Sequence, residues 1–178
     1  MNPRLEEIFA YAASTRDELL RAADAPDEER SRRPSDGRWS VAENLEHLAL
    51  VEAGTVALLA KMLARARATG LGPEREDGSV LHSLDRHGVE HAAHPIVAPS
   101  IVAPTGTQTA DASLTALARS RAALLAFYRE ADGLDLSAVR ARHITLGELD
   151  LYQWPLFVAQ HERRHARQIV ATLAALRR

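Results

Sequence analysis

The residues best suited to chemistry in this chain are His161 and His165, in the run His161-Glu-Arg-Arg-His165. Successive residues of an α-helix turn by about 100°, so positions i and i+4 stand one above the other on a single face. With His161 at the centre, Trp154, Phe157, Val158, His165 and Ile169 fall within one broad arc. Arg163, Arg164 and Arg167 are expected on the other side. Both imidazoles should therefore point into the interior. A buried imidazole needs an acceptor or donor for one ring nitrogen and a second partner, or a metal, for the other. Two rings one turn apart cannot satisfy each other fully. A cation bonded to one nitrogen of each would, and His-x-x-x-His is a common ligand spacing in helices. The alternative is a packed pair satisfied separately by carboxylates or waters.

His47 supplies a third candidate ligand. It lies at the margin of another apolar stripe, between Leu45 and Leu48. A lone histidine there is a boundary residue; beside the pair it completes a three-imidazole site. Neutral nitrogen ligands suit zinc or nickel first, with iron, copper or manganese also accommodated. Three protein ligands leave a position open, the pattern of catalytic rather than closed structural sites. Residues 161–165 also match His-Glu-x-x-His literally, but no third zincin ligand follows between His165 and Arg178, and Glu162 should face sideways. A rival set, His82, His87, His91 and His94, sits among Gly88, Pro95 and small residues and reads as a solvated loop. Glu52 falls inside an apolar arc. It is expected to pair with an arginine of a neighbouring helix, the alternative being a hydrogen bond to a ligand histidine. Trp39 and Trp154 read as core anchors, and His143 carries no assigned role.

Four amphipathic helices would position these groups. The first spans 4–24, with Leu5, Ile8, Phe9, Leu19 and Leu20 at helical spacing. Residues 25–38, with Pro26, Pro34, Ser35, Asp36 and Gly37, read as a loop. Ser40-Val-Ala-Glu43 is a capping box that opens the second helix, which runs to about Arg67. A third spans 110–131, with Gly133 as a stop, and a fourth runs from Asp150, a good N-cap, almost to Arg178. Residues 70–109 are broken by prolines and glycines, with at most a short helix over 79–92. With no convincing strand, the fold class is all-α, a four-helix bundle. The long crossover between helices two and three permits those two to run parallel.

At 178 residues the chain suits a single domain, 1–178. Its formal net charge is −2 and it has no long basic run, so nucleic acid is not an expected partner. The absence of cysteine excludes disulfides, thiolate ligands and a cysteine nucleophile. Acids occupy the N-terminal segment where a signal peptide would be apolar, and no stretch reads as about 20 continuous apolar residues. The expectation is a cytoplasmic protein without a membrane partner.

Taken together, three segments resemble the DinB-like family of helical bundles. They are Arg38-Trp-Ser-Val-Ala-Glu-Asn-Leu-Glu-His47-Leu-Ala, Gly147-Glu-Leu-Asp-Leu-Tyr-Gln-Trp154 and Ala159-Gln-His161-Glu-Arg-Arg-His165-Ala-Arg-Gln-Ile169. The resemblance implies up-down-down-up connectivity and a metal site at His47, His161 and His165. It also implies frequent homodimers. Some members are metal-dependent hydrolases, and others act with an external low-molecular-weight thiol such as bacillithiol or mycothiol. Three readings follow. One is a metalloenzyme acting on a small-molecule substrate, as hydrolase or thiol-dependent transferase. The second is a non-catalytic stress-response or binding module whose metal is structural, and the third a metal-free bundle with packed histidines. Histidine ligation predicts that metal affinity falls as pH drops through about 6.5.

Overall fold

A computed structural model describes residues 1–34, 37–91 and 97–178. Ser35, Asp36, His94 and Pro95, which the sequence assigns to loops, lie outside these residues. The described chain is mostly helical. Helix α1 spans Pro3–Ala22, and the Asn2 side chain caps it by accepting from the Arg4 backbone N–H at 2.8 Å. A five-residue helix, α2 (Asp27–Ser31), interrupts the expected loop. Asp27, Glu28 and Glu29 fill its first turn, where the helix dipole favours negative charge.

Helix α3 (Val41–Thr69) starts as its sequence predicts. Ser40 Oγ accepts from the Glu43 N–H at 3.2 Å, and Glu43 accepts from the Ser40 N–H at 2.9 Å. It ends at Gly70, whose φ of +90° is left-handed backbone that suits glycine. Helix α4 is Ala110–Glu130, capped by Thr109. Helix α5 is Gln153–Leu176. Asp150 does bind two free N–H groups, of Tyr152 and Gln153 at 2.9 Å, but the helix begins just beyond it.

Two further features depart from the sequence-based expectation. First, the segment before α5 holds an antiparallel hairpin, β1 (Arg140–His143) and β2 (Gly147–Asp150), registered from Arg140↔Asp150 to His143↔Gly147. Four-residue strands show only one inward residue each, Ala141 and Leu149, too few for alternation to stand out. Second, 3₁₀ turns at Asp85–His87 and Val89–His91 stand where the sequence allows at most a short helix over 79–92, whose last residue lies outside the described ones. Gly88, at φ +55°, breaks the helical path between them. Part of the long connection docks on the rest of the protein, although Val97 and Ile101 within it are exposed. Leu84 and Val89 are buried, the Val80 N–H donates to Glu7 at 2.6 Å, and Tyr152 Oη donates to Glu74 at 2.6 Å.

The apolar core forms two clusters. One unites Leu5 and Ile8 of α1, Leu59 and Leu63 of α3, Tyr128 of α4 and Phe157 of α5. The other unites Leu19, Val41, Leu45, Leu117, Ile169 and Leu173. Thus α1 and α5 enter the first cluster by their N-terminal halves, whereas α3 and α4 enter it by their C-terminal halves.

A charged layer joins the helices as well. Glu52 accepts from Arg121 Nε at 2.6 Å, from Arg16 at 3.0 Å and from Ser120 Oγ at 3.0 Å. Glu162 accepts from Arg16 Nε at 2.5 Å, Thr15 Oγ1 at 2.9 Å and Arg121 at 3.1 Å. Both carboxylates are 2% exposed. Buried charge is tolerable here because each oxygen is paired; removing one partner of such a network typically costs about 3–5 kcal/mol. The arginine pairing expected for Glu52 is therefore present, and its alternative role beside a histidine is not.

Helix α3 is long and apolar enough, by length and composition alone, to cross a membrane, which the sequence reading did not anticipate. A third of its apolar window is buried against the rest of the protein.

Candidate metal centre

Helix α3 carries His47 and α5 carries His161 and His165, and the fold brings the three imidazoles together. His161 Nε2 lies 3.1 Å from His165 Nε2 and 3.4 Å from His47 Nε2. His47 and His165 are 5% and 4% exposed, whereas His161 is partly exposed. The cluster therefore meets its surroundings through His161.

The outer ring nitrogens fix the tautomers. His47 Nδ1 lies 2.7 Å from the Val102 carbonyl, which can only accept, so Nδ1 carries the proton and Nε2 a lone pair. His165 Nδ1 lies 2.8 Å from Asn44 Oδ1. The amide is oriented by its own Nδ2, which donates to the Ser40 carbonyl at 2.8 Å, so Oδ1 must accept from His165. Two lone pairs thus converge on His161 Nε2, which has at most one proton to donate. One lone pair is left without a donor, and a cation is the group that satisfies all three nitrogens at once. Tetrahedral ligation at about 2.0–2.1 Å would place neighbouring nitrogens about 3.3 Å apart. The observed spacings fit that arrangement. His161 Nδ1 is buried without a hydrogen-bond partner.

Electrostatics keep the rings in the neutral form that ligation needs. Burial lowers the pKa of His47, partly offset by the Val102 carbonyl, and the Arg164 charge lowers it further. His161 lies well below its ordinary value through burial, then His47, Arg164 and His143. His165 is also well below, through burial, His161, His47 and Arg164. The Arg164 charge reaches all three rings, so this residue is not on the far side as expected. Three helical steps from His161 turn by about 300°, which leaves Arg164 only about 60° from it. Arg163 does face away, towards Glu18 and Glu90.

Aromatic rings wall the cluster. Trp39 lies 5.0 Å from His47 and 6.2 Å from His165, ring centre to ring centre, and Phe157 stacks on His161 at 5.4 Å. Trp154 is buried in the core as expected, whereas Trp39 is half-buried and forms part of the site wall. Among the described residues, the rival histidines His82, His87 and His91 form no metal-capable group. His82 is exposed and pairs with Asp85, and His91 faces Arg167. His47, His161 and His165 are the only metal-capable group of this kind among the described residues.

The DinB superfamily model matches residues 5–169. The chain belongs to the DinB superfamily. No curated protein and no solved structure matches it. Membership spans nearly the whole chain, including all three histidines of the cluster and the connection between α3 and α4 where the sequence resemblance was weakest. Sequence reading missed Asn44 and the Val102 carbonyl. Asn44 stands three residues before His47 in the same helix, a spacing that could have flagged it; Val102 acts through its backbone, which leaves no trace in residue type.

Proposed function

We propose that this DinB-family protein binds one divalent transition metal, zinc or nickel foremost, through His47, His161 and His165, and uses it as an enzyme on a small-molecule substrate. The observation that carries the reading is the convergence of three Nε2 atoms, two of them held as lone pairs by Val102 and Asn44. When bound, such a metal supplies Lewis acidity and an exchangeable position able to activate water or a thiol. The chain's own residues orient the ligand rings, keep them neutral, and exclude water on the Trp39 and Phe157 sides. Glu52 and Glu162 are committed to arginines and supply no general base. A hydrolase or a transferase using an external low-molecular-weight thiol both fit, and with no cysteine the thiol must come from outside the chain.

The same reading makes 1–178 one up-down-down-up four-helix bundle, supported by the halves by which α1, α3, α4 and α5 share the two core clusters. It places the protein in the cytoplasm, without nucleic acid or membrane as partner, as a monomer or homodimer. A second reading, a structural metal in a non-catalytic stress-response or binding module, draws on the ligands coming from two helices, which a cation would staple together.

The test is metal content by elemental mass spectrometry on wild type and on the double variant H161A/H165A. About one equivalent in the wild type and none in the variant supports the site; no metal after reconstitution with zinc or nickel refutes it. Cobalt substitution then separates the two readings. Absorption bands that shift on adding azide indicate an open position, and bands that do not shift favour the staple.

A further inference from the structure

His143 closes strand β1, and its ring is held by the turn that follows. Nδ1 lies 3.2 Å from the backbone nitrogens of both Thr145 and Leu146, and 3.3 Å from Thr145 Oγ1. Two backbone N–H groups aimed at one ring nitrogen require a lone pair there, so the single proton of the neutral ring sits on Nε2. Burial, reinforced by His87, pushes the pKa down to about 4, which keeps the ring neutral at physiological pH. The result is an N–H donor of fixed tautomer, with no acceptor among the described residues.

Its place in the fold is next to the histidine cluster. The His143 ring packs 4.3 Å from Phe157 and 5.3 Å from Trp154, centre to centre, and Phe157 stacks directly on His161. Beside it, the Trp154 indole N–H is buried without a hydrogen-bond partner. An indole nitrogen can only donate, and a buried donor left unmade costs about 1–3 kcal/mol. Neighbouring rings thus carry two unused N–H donors, one aromatic ring away from the cluster.

We propose that His143 Nε2–H and Trp154 Nε1–H form a subsite for an oxygen acceptor, a carboxylate or carbonyl, on the small molecule held at the three-histidine centre. The proposal rests on the metalloenzyme reading for what lies at the other end of that molecule, not for the donors themselves. It implies a substrate with two oxygen functions, one reaching the centre and the other lying over Phe157. The hairpin, absent from a plain helical bundle, is then the element that brings a substrate-binding side chain to the site.

The probe is glutarate, a flexible dicarboxylate, titrated into zinc-loaded protein and followed by calorimetry. His143→Asn keeps a side-chain oxygen that can accept from the turn N–H groups but removes the distal donor; His143→Phe removes both functions. The expected result is that both variants bind glutarate at least about tenfold more weakly, the loss of one hydrogen bond to a charged group. H143N should retain wild-type zinc content and melting temperature. Undiminished glutarate affinity in H143N, or no glutarate binding by the wild type, overturns the proposal. ¹⁵N NMR on metal-free protein labelled at histidine and tryptophan reads the donors independently of the metal. A His143 proton on Nε2, and a Trp154 indole resonance that moves with glutarate, support the subsite. A proton on Nδ1, or an unmoved indole resonance, overturns it. If zinc fails to bind, the metal reading falls and these NMR outcomes alone decide the subsite.

Discussion

Replacing Asn44 by leucine should weaken zinc binding by about 10–100-fold, or about 1.4–2.7 kcal/mol, the usual range for losing a group that orients a ligand histidine. The side chain is 2% exposed, and leucine fills nearly the same volume. Packing therefore changes little, and three hydrogen bonds vanish: 2.8 Å to His165 Nδ1, 2.8 Å to the Ser40 carbonyl and a long one of 3.5 Å to the Trp39 carbonyl. Without Oδ1 the His165 ring has no reason to keep its proton on Nδ1. The tautomer with the proton on Nε2 then competes, and it cannot ligate through that atom. The metal-free protein should also lose about 1–3 kcal/mol, since a buried N–H is left unpaired. Asn44→Asp separates the two effects, because a carboxylate still accepts from Nδ1 while losing the donor to Ser40. Zinc affinity of N44D should therefore lie well above that of N44L. The assay is competition against a chromophoric chelator at pH 7.5, with urea unfolding of the metal-free proteins alongside. N44L binding zinc within about twofold of wild type would refute the orienting role.

Three further outcomes follow from the same structure. Arg121→Leu leaves Glu52 and Glu162 to share Arg16 as their one remaining arginine and should cost about 3–5 kcal/mol in urea unfolding, whereas a loss below about 1 kcal/mol would mean the layer is not structural. Burial lowers the pKa of His47, His161 and His165 below the ordinary 6.5. The unfolded chain therefore takes up more protons as pH falls below 6.5, and metal-free protein should be fully stable above that value and lose stability progressively beneath it. Unfolding midpoints equal at pH 7.5 and 5 would contradict this; the same shift moves the loss of metal affinity to a lower pH than an exposed histidine would give. Glu46→Ala removes the acceptor for the Thr105 and Gly106 N–H groups, 3.0 and 3.1 Å away. Limited proteolysis should then cut faster near residues 99–107, and an unchanged cleavage rate would show that Glu46 does not hold that segment.

The site was legible where its chemistry and its helical periodicity coincided. His161 and His165 announce themselves by spacing, and the Ser40–Glu43 capping box fixes where α3 begins and hence which way His47 faces. Legibility ended where partners are distant in sequence or act through the backbone. Nothing near His47 points to the Val102 carbonyl, 55 residues away. His143 carries no local signal because its neighbours are a turn and a four-residue strand. Arg164 is grouped with Arg163 and Arg167 on the far side of the helix, yet three steps from His161 leave it only about 60° from that ring. The long connection reads as loop by its prolines and glycines, yet Leu84 and Val89 dock it on the core.

The buried charged layer also acts as a key in a slot. Glu162 follows His161 directly, about a quarter-turn around α5, and is gripped by groups from both α1 and α4. Rotating α5 by about 20° would sweep a side-chain end lying ~6 Å from its axis through about 2 Å. A salt bridge of 2.5–3.1 Å does not survive that displacement. The helix is thereby indexed, and the aim of His161 and His165 is set by carboxylate chemistry on another face. A redesign that exchanged the four charges for well-packed leucines could raise the melting temperature and still misalign the histidines, because grease has no preferred angle.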